Sequence, residues 1–166
     1  MMLKETCWMK NSRTETSNIL LVGIGNTSRG DDGLGWLFLD RIKEMYPGSF
    51  DVEYRYQLQV EDAALICNYD DVLFIDATVE EITGGCALKP CKPASSYYFS
   101  SHMQTPEAIL YLAETLYNKS PNTFVMQISG YEWELGNKPN KKALINLGKA
   151  LRLFQESYIL TEDPSC

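Results

Sequence analysis

The sequence has one histidine, no Gly-x-Ser-x-Gly motif, no Gly-Lys-Ser or Gly-Lys-Thr motif and no long apolar run. The first missing motif argues against hydrolases that carry a nucleophilic serine on a sharp turn. The second argues against P-loop nucleotide hydrolases. No apolar run approaches the roughly 20 residues that span a bilayer, and residues 1–18 lack the apolar core of a signal peptide. We therefore expect a cytoplasmic protein.

Positive charge is also scarce. Fifteen lysines and arginines stand against 22 aspartates and glutamates, which gives a net charge of −7. Such a surface repels phosphates, so we expect neither a nucleic acid nor a membrane as a partner. An acidic chain is compatible with a metal ion or a basic peptide, although charge alone identifies neither.

The length of 166 residues is that of a single domain. We predict a polar lead-in over 1–18, one α/β domain over 19–158 and a tail over 159–166, and we expect a monomer. The five cysteines are scattered, and only Cys86 and Cys91 lie close together. One Cys-x4-Cys pair without a second pair is not typical of a zinc site, so we predict free thiols.

Strand and helix patterns alternate along the chain. Apolar runs predict strands at 19–24, 51–59, 72–75, 86–88 and 123–129, and amphipathic patterns predict helices at 32–46, 61–68, 105–117 and 141–158. Thr105 is predicted to cap its helix, with Pro106 at the first helical position. Alternation of this kind is typical of βαβ units. The predicted fold class is α/β, with three α/β/α layers and a twisted, mostly parallel five-stranded sheet.

Ligands of such sheets bind outside the carboxyl ends of the strands, where three groups of residues stand out. Asp31 and Asp32 follow the first strand and its glycine-rich loop, Asp76 ends the third strand, and His102 precedes the helix at Thr105. If the first and third strands are neighbours, Asp32 and Asp76 face one crevice. Two carboxylates and an imidazole suit Ni²⁺, Zn²⁺ or Fe²⁺ and leave coordination positions open.

Each of these residues also has a structural interpretation. An aspartate at the start of a helix usually caps it, and we interpret Asp31 in this way. The same interpretation holds for Asp32 taken alone. Asp76, at the end of a buried strand, needs a partner for its charge, which fits either role. A single loop histidine is more often structural than a ligand.

The glycine loop has a rival interpretation as a nucleotide-binding turn. Gly23-Ile24-Gly25-Asn26-Thr27-Ser28 matches the first part of a dinucleotide fingerprint, but Ser28 replaces the third glycine. Acids at the helix mouth would also repel a pyrophosphate. A Rossmann-like nucleotide-binding or regulatory module therefore remains the alternative.

Three motifs together resemble the peptidases that mature [NiFe] hydrogenases. They are Gly23-Ile24-Gly25-Asn26 with Asp31-Asp32-Gly33-Leu34-Gly35, then Phe74-Ile75-Asp76-Ala77, then Ser100-Ser101-His102 ahead of a helix. Their order and separations also resemble the family's, from about residue 19 to residue 151. The resemblance implies a hydrogenase-maturation-protease-like fold, of the phosphorylase/hydrolase-like kind.

The resemblance also implies a function. Members of this family remove a C-terminal extension from the hydrogenase large subunit after nickel insertion. By position, Asp32, Asp76 and His102 would be the catalytic residues and the metal ligands. Nickel would arrive as part of the substrate, which is the nickel-loaded precursor of the large subunit. A non-catalytic nickel-binding assembly partner on the same fold is a further alternative.

The stretch after the second strand departs from the family's commonest pattern. Many members have Asp-Gly-Gly-Thr there, whereas this chain has Tyr56-Gln57-Leu58-Gln59-Val60-Glu61. This is closer to a subgroup with Gln-Leu-Thr-Pro-Glu. Gln57 and Glu61 would then shape the crevice or contact the substrate peptide, or simply be polar residues at a strand end.

Overall fold

Five strands form one sheet in the order β2-β1-β3-β5-β4. The computed structural model describes residues 18–96 and 104–159. The strands are β1 Ile19–Ile24, β2 Asp51–Arg55, β3 Asp71–Thr78, β4 Cys86–Pro90 and β5 Asn122–Ser129. Only β4 runs antiparallel, against β5. The predicted mostly parallel five-stranded sheet is confirmed, with β1 and β3 as direct neighbours.

The helices cover both faces of this sheet. They are α1 Leu34–Met45, α2 Asp62–Ile66, α3 Pro106–Tyr117 and α4 Lys141–Phe154, with a 3-10 turn at Gly30–Gly33 and a π-helical turn at Gln155–Ile159. Thr105 Oγ1 accepts from the backbone N–H of Ala108 at 3.2 Å, so the predicted cap of α3 is confirmed. None of the described helices is long and apolar enough to cross a membrane.

The two faces of β3 belong to different cores, as the alternation of side chains in a strand requires. Leu73 and Ile75 pack in the core that contains α1 and α4. Val72 and Phe74 pack in the core that contains α2 and α3. The three-layer α/β/α arrangement is therefore confirmed, and alternation places Asp76 on the α2/α3 face.

Several predicted ends were wrong because strand partners, not local sequence, decide where strands end. β3 continues through Asp76 to Thr78, because β5 pairs with it up to Ser129. β2 ends at Arg55 instead of residue 59, because Arg55 pairs with Ile24, the last residue of β1. Helix α1 begins two residues later than predicted, after the 3-10 turn, and the closing helix becomes π-helical after Phe154.

Cys67, Cys86 and Cys91 are free thiols, as predicted. Cys7 and Cys166 lie outside the described residues, as do the lead-in up to residue 17 and the tail from residue 160.

Candidate active site at the carboxyl edge of the sheet

The glycine-rich loop after β1 folds back so tightly that only glycine fits at position 25. Gly25 has φ +134°, and a Cβ there would overlap the carbonyl oxygen of Asp32. The Asn26 N–H donates to that same oxygen at 3.1 Å. The loop therefore holds the backbone of Asp32 against the end of β1, and its glycine serves close packing instead of phosphate binding.

Helix α1 starts directly against the ends of β1 and β3. A Cβ on Gly35 would lie 2.6 Å from the carbonyl oxygen of Ile24 and 2.5 Å from that of Ile75. Asp32 lies just before this helix, and Asp76 follows Ile75 in β3. The edge formed by the carboxyl ends of the parallel strands, here called the carboxyl edge, thus holds both acids.

Asp32 is close enough to Asp76 to affect its ionisation. The pKa of Asp76 is raised from 3.8 to about 7, chiefly by burial and further by the charge of Asp32, while the Ala77 N–H opposes the rise. Burial also raises the pKa of Asp32, against the charge of Arg29 and the Asn26 N–H. Burial thus acts in the same direction on both carboxyl groups, and the charge of Asp32 adds to its effect on Asp76. Asp76 is therefore partly protonated near neutral pH.

Asp31 does not cap the helix, and the prediction for it was wrong. Its side chain is fully buried and accepts three backbone N–H groups from the loop between β5 and α4. One carboxylate oxygen accepts hydrogen bonds from the N–H groups of Tyr131 at 2.6 Å and Glu132 at 2.9 Å. The other oxygen accepts from the N–H group of Asn140 at 2.6 Å. Three donors satisfy the buried charge, so Asp31 joins the glycine loop to the loop after β5.

The loop after β2 is held by an ion pair that the sequence did not reveal. Arg55 Nε donates to one oxygen of Asp62 at 2.9 Å, and the Gln59 N–H donates to the other at 2.9 Å. Asp62 is only 4% exposed, whereas Gln57 and Glu61 are exposed on this loop. An aspartate in the first turn of an apolar helix is common, so no local signal in the sequence marks Arg55 as its partner.

His102 lies outside the described residues. Gln104, two positions later, pairs with Leu58 in the loop after β2. Within the two described ranges, no group of three or more histidine, cysteine, aspartate or glutamate side chains could hold a metal. The structure thus brings together two of the three predicted site residues, and the placement of the third stays a prediction.

No sequence profile of a protein family and no curated protein sequence matches this chain. Solved structures do match it over most of its length. The [NiFe] hydrogenase maturation protease HycI from Thermococcus kodakarensis KOD1 is 21% identical, with a TM-score of 0.66 over 90% of this chain and 97% of that one.

Two further neighbours carry similar descriptions. The hydrogenase maturating endopeptidase HybD from E. coli is 15% identical, with a TM-score of 0.66 over 85% of this chain and 94% of that one. Hydrogenase 2 maturation peptidase from Thaumarchaeota archaeon SCGC_AB-539-E09 is 18% identical, with a TM-score of 0.61 over 84% of this chain and 96% of that one. This chain therefore has the fold of the hydrogenase maturation proteases, as its three motifs predicted.

Proposed function

We propose that this protein is an endopeptidase that removes the C-terminal extension of a [NiFe] hydrogenase large-subunit precursor after nickel insertion. Asp32, Asp76 and His102 are proposed to contact the nickel that the substrate carries. The proposal is supported by the shared fold and by the order of the three motifs. It rests above all on one observation, namely that Asp32 and Asp76 lie at the same carboxyl edge of a parallel sheet, where the charge of Asp32 raises the pKa of Asp76.

The ionisation of this pair suits a cation that arrives from outside. With a pKa of about 7, Asp76 is partly protonated at neutral pH, and the charge of Asp32 helps to keep it so. A divalent cation placed between them displaces the proton and relieves their mutual repulsion. The two acids therefore bind a metal-loaded substrate better than a metal-free one, which makes nickel the recognition signal.

The proposed ligand set leaves room for the substrate. Two carboxylates and one imidazole occupy three positions around Ni²⁺, so ligands from the hydrogenase subunit and the scissile peptide complete the coordination. A metal held in this way polarises a carbonyl or activates a water. No serine or cysteine nucleophile is needed, in keeping with the missing nucleophile motifs.

A cleavage assay tests the proposal directly. The full chain is mixed with nickel-loaded precursor large subunit and, separately, with the metal-free precursor, and mass spectrometry follows loss of the C-terminal peptide. We expect cleavage of the loaded precursor only. Asp32→Ala, Asp76→Ala and His102→Ala should each abolish it while circular dichroism stays unchanged.

Asp40→Asn is the matched control, because Asp40 lies exposed on α1 and bonds only Tyr54 among the described residues. It should cleave like the wild type. Retained cleavage in Asp76→Ala would contradict the proposal. Nickel binding without any cleavage would favour an assembly partner on the same fold, and stabilisation by ATP, NAD or S-adenosylmethionine in a thermal-shift series would favour the nucleotide-binding alternative.

A further inference from the structure

A cavity lies between the turn that follows β3 and helix α4, on the α1/α4 side of the sheet. Its volume is about 360 Å³, and its lining includes Ile82, Gly85, Tyr131, Lys142 and Lys149. We call it the lysine pocket. No motif pointed to it, and the proposed reaction at Asp32 and Asp76 does not use it.

Two lysines against one glutamate, Glu81, give the lining of this pocket a net positive charge. Lys142 and Lys149 are seven residues apart on α4, so they lie on the same face two turns from each other. Lys149 forms no ion pair within the described part of the chain. Lys142 contacts Glu81 at 3.0 Å, but both side chains are mostly exposed, so an incoming anion can replace this weak partner.

The remaining walls offer one apolar surface and one fixed hydroxyl group. The Lys142 Nζ lies 4.3 Å from the ring centroid of Tyr131. Asn146, which is 3% exposed, donates to the Tyr131 hydroxyl at 3.0 Å. Because the amide is the donor there, the hydrogen of the phenol is left for another acceptor. A Cβ on Gly85 would overlap the Asn146 amide, so glycine is what permits this tight wall.

Tyr131 also connects the lysine pocket with the candidate active site. Its backbone N–H donates to the Asp31 carboxylate at 2.6 Å, and Asp31 directly precedes Asp32. The loop that lines the pocket at Tyr131 is therefore fixed to the loop that carries Asp32. A terminal carboxylate would meet the two lysines and the phenol, and an aliphatic side chain would meet Ile82 and the tyrosine ring.

We infer that the lysine pocket binds the C-terminal carboxylate of a peptide, which, if the proposed function holds, is the end of the extension that is removed. Capture of a terminal carboxylate by fixed donors is a recurring mode of peptide recognition. The pocket then serves as a specificity site, because it binds the end of the chain while the metal is read at Asp32 and Asp76.

The first experiment measures carboxylate binding without a substrate protein. The isotope-labelled full chain is titrated with acetyl-Ala-Ala-Leu bearing a free carboxylate, and separately with its C-terminal amide. The free acid should shift the backbone amide signals of Gly84, Gly85 and Tyr131, and the amide should bind about tenfold more weakly. The double variant Lys142→Gln/Lys149→Gln should lose the response to the acid.

Lys141→Gln is the matched control, because it removes the same charge from the next position of α4 but lies outside the pocket lining. It should respond like the wild type. Equal shifts with the acid and the amide, no shift at these three residues, or an undiminished response in the double variant would each overturn the inference.

The second experiment separates this inference from the proposed function. With nickel-loaded precursor, the double variant should raise KM about tenfold with kcat unchanged, since it weakens binding and leaves the reacting groups in place. A wild-type KM in the double variant overturns the inference alone. A wild-type chain that leaves the loaded precursor intact overturns the proposed function alone, because the titration judges carboxylate binding independently.

Discussion

Replacing Asp76 with asparagine should make the folded protein more stable at alkaline pH. Asp76 is a mostly buried acid whose pKa is raised from 3.8 to about 7, first by burial and then by the neighbouring charge of Asp32. Asparagine has nearly the same shape and never ionises. The substitution therefore removes the cost of burying a charge without leaving a cavity.

The size and sign of the effect follow from the difference in pKa. Because the folded chain holds the Asp76 proton more tightly than the unfolded chain, wild-type stability falls as the pH rises from about 4 to above 7. A gap between 3.8 and about 7 corresponds to about 4 kcal/mol, fully developed by about pH 8. Near pH 4 the wild type is protonated when folded, and the two proteins should differ little.

Urea unfolding of both proteins between about pH 4 and about pH 8, followed by circular dichroism, measures this difference. The free energy of unfolding of Asp76→Asn minus that of the wild type should grow steadily with pH. For the exposed control Asp40→Asn it should stay within about 0.5 kcal/mol of zero. A difference that does not change with pH would refute the argument. A variant that is more stable yet inactive on the precursor would show that the carboxylate is kept for its chemistry at the expense of stability.

Three further predictions concern the same edge of the sheet. Asp31→Asn should lower the free energy of unfolding, measured by urea unfolding, by about 2–3 kcal/mol, because an amide cannot accept from all three backbone N–H groups. An unchanged free energy of unfolding would contradict the hydrogen bonds described for Asp31. Gly25→Ala should lower the free energy of unfolding by more than about 2 kcal/mol in the same assay, because its Cβ would overlap the carbonyl oxygen of Asp32. Gly48 has φ +73° but open space around it, so Gly48→Ala should lower the free energy of unfolding by only about 1 kcal/mol. Asp32→Asn should lower the pKa of Asp76 below about 7 in an NMR titration, because it removes a nearby negative charge, and an unmoved pKa would mean that the two carboxylates do not interact.

The sequence predicted the architecture well because burial leaves a local signal. Leu20–Val22 and Val72–Ile75 are continuously apolar, as strands covered on both faces must be, and these runs became the centre of the sheet. The strand ends were predicted poorly for the opposite reason. β3 extends to Thr78 because of its pairing with β5, and that pairing cannot be read from residues 71–78 themselves.

In the candidate site, too, some features could be predicted from the local sequence and others depend on distant residues. Asp32 and Asp76 could be predicted to lie at one edge of the sheet, because parallel neighbouring strands bring their carboxyl ends to the same edge. The role of Asp31 could not, because its three donors lie 100, 101 and 109 positions later in the sequence. The Arg55–Asp62 pair escaped notice because both residues look like ordinary surface charges until the loop between them is folded.

The hydrogen bonds between Asp31 and residues far along the sequence also have a consequence for biosynthesis. The acidic motif leaves the ribosome about a hundred residues before the loop that satisfies its buried carboxylate. Until β5 and the following loop have been synthesised, Asp31 lacks these three backbone donors, and the turn that presents Asp32 lacks the support that they give. A partly synthesised chain therefore cannot complete the carboxyl edge, because that edge needs β5 and the loop that follows it.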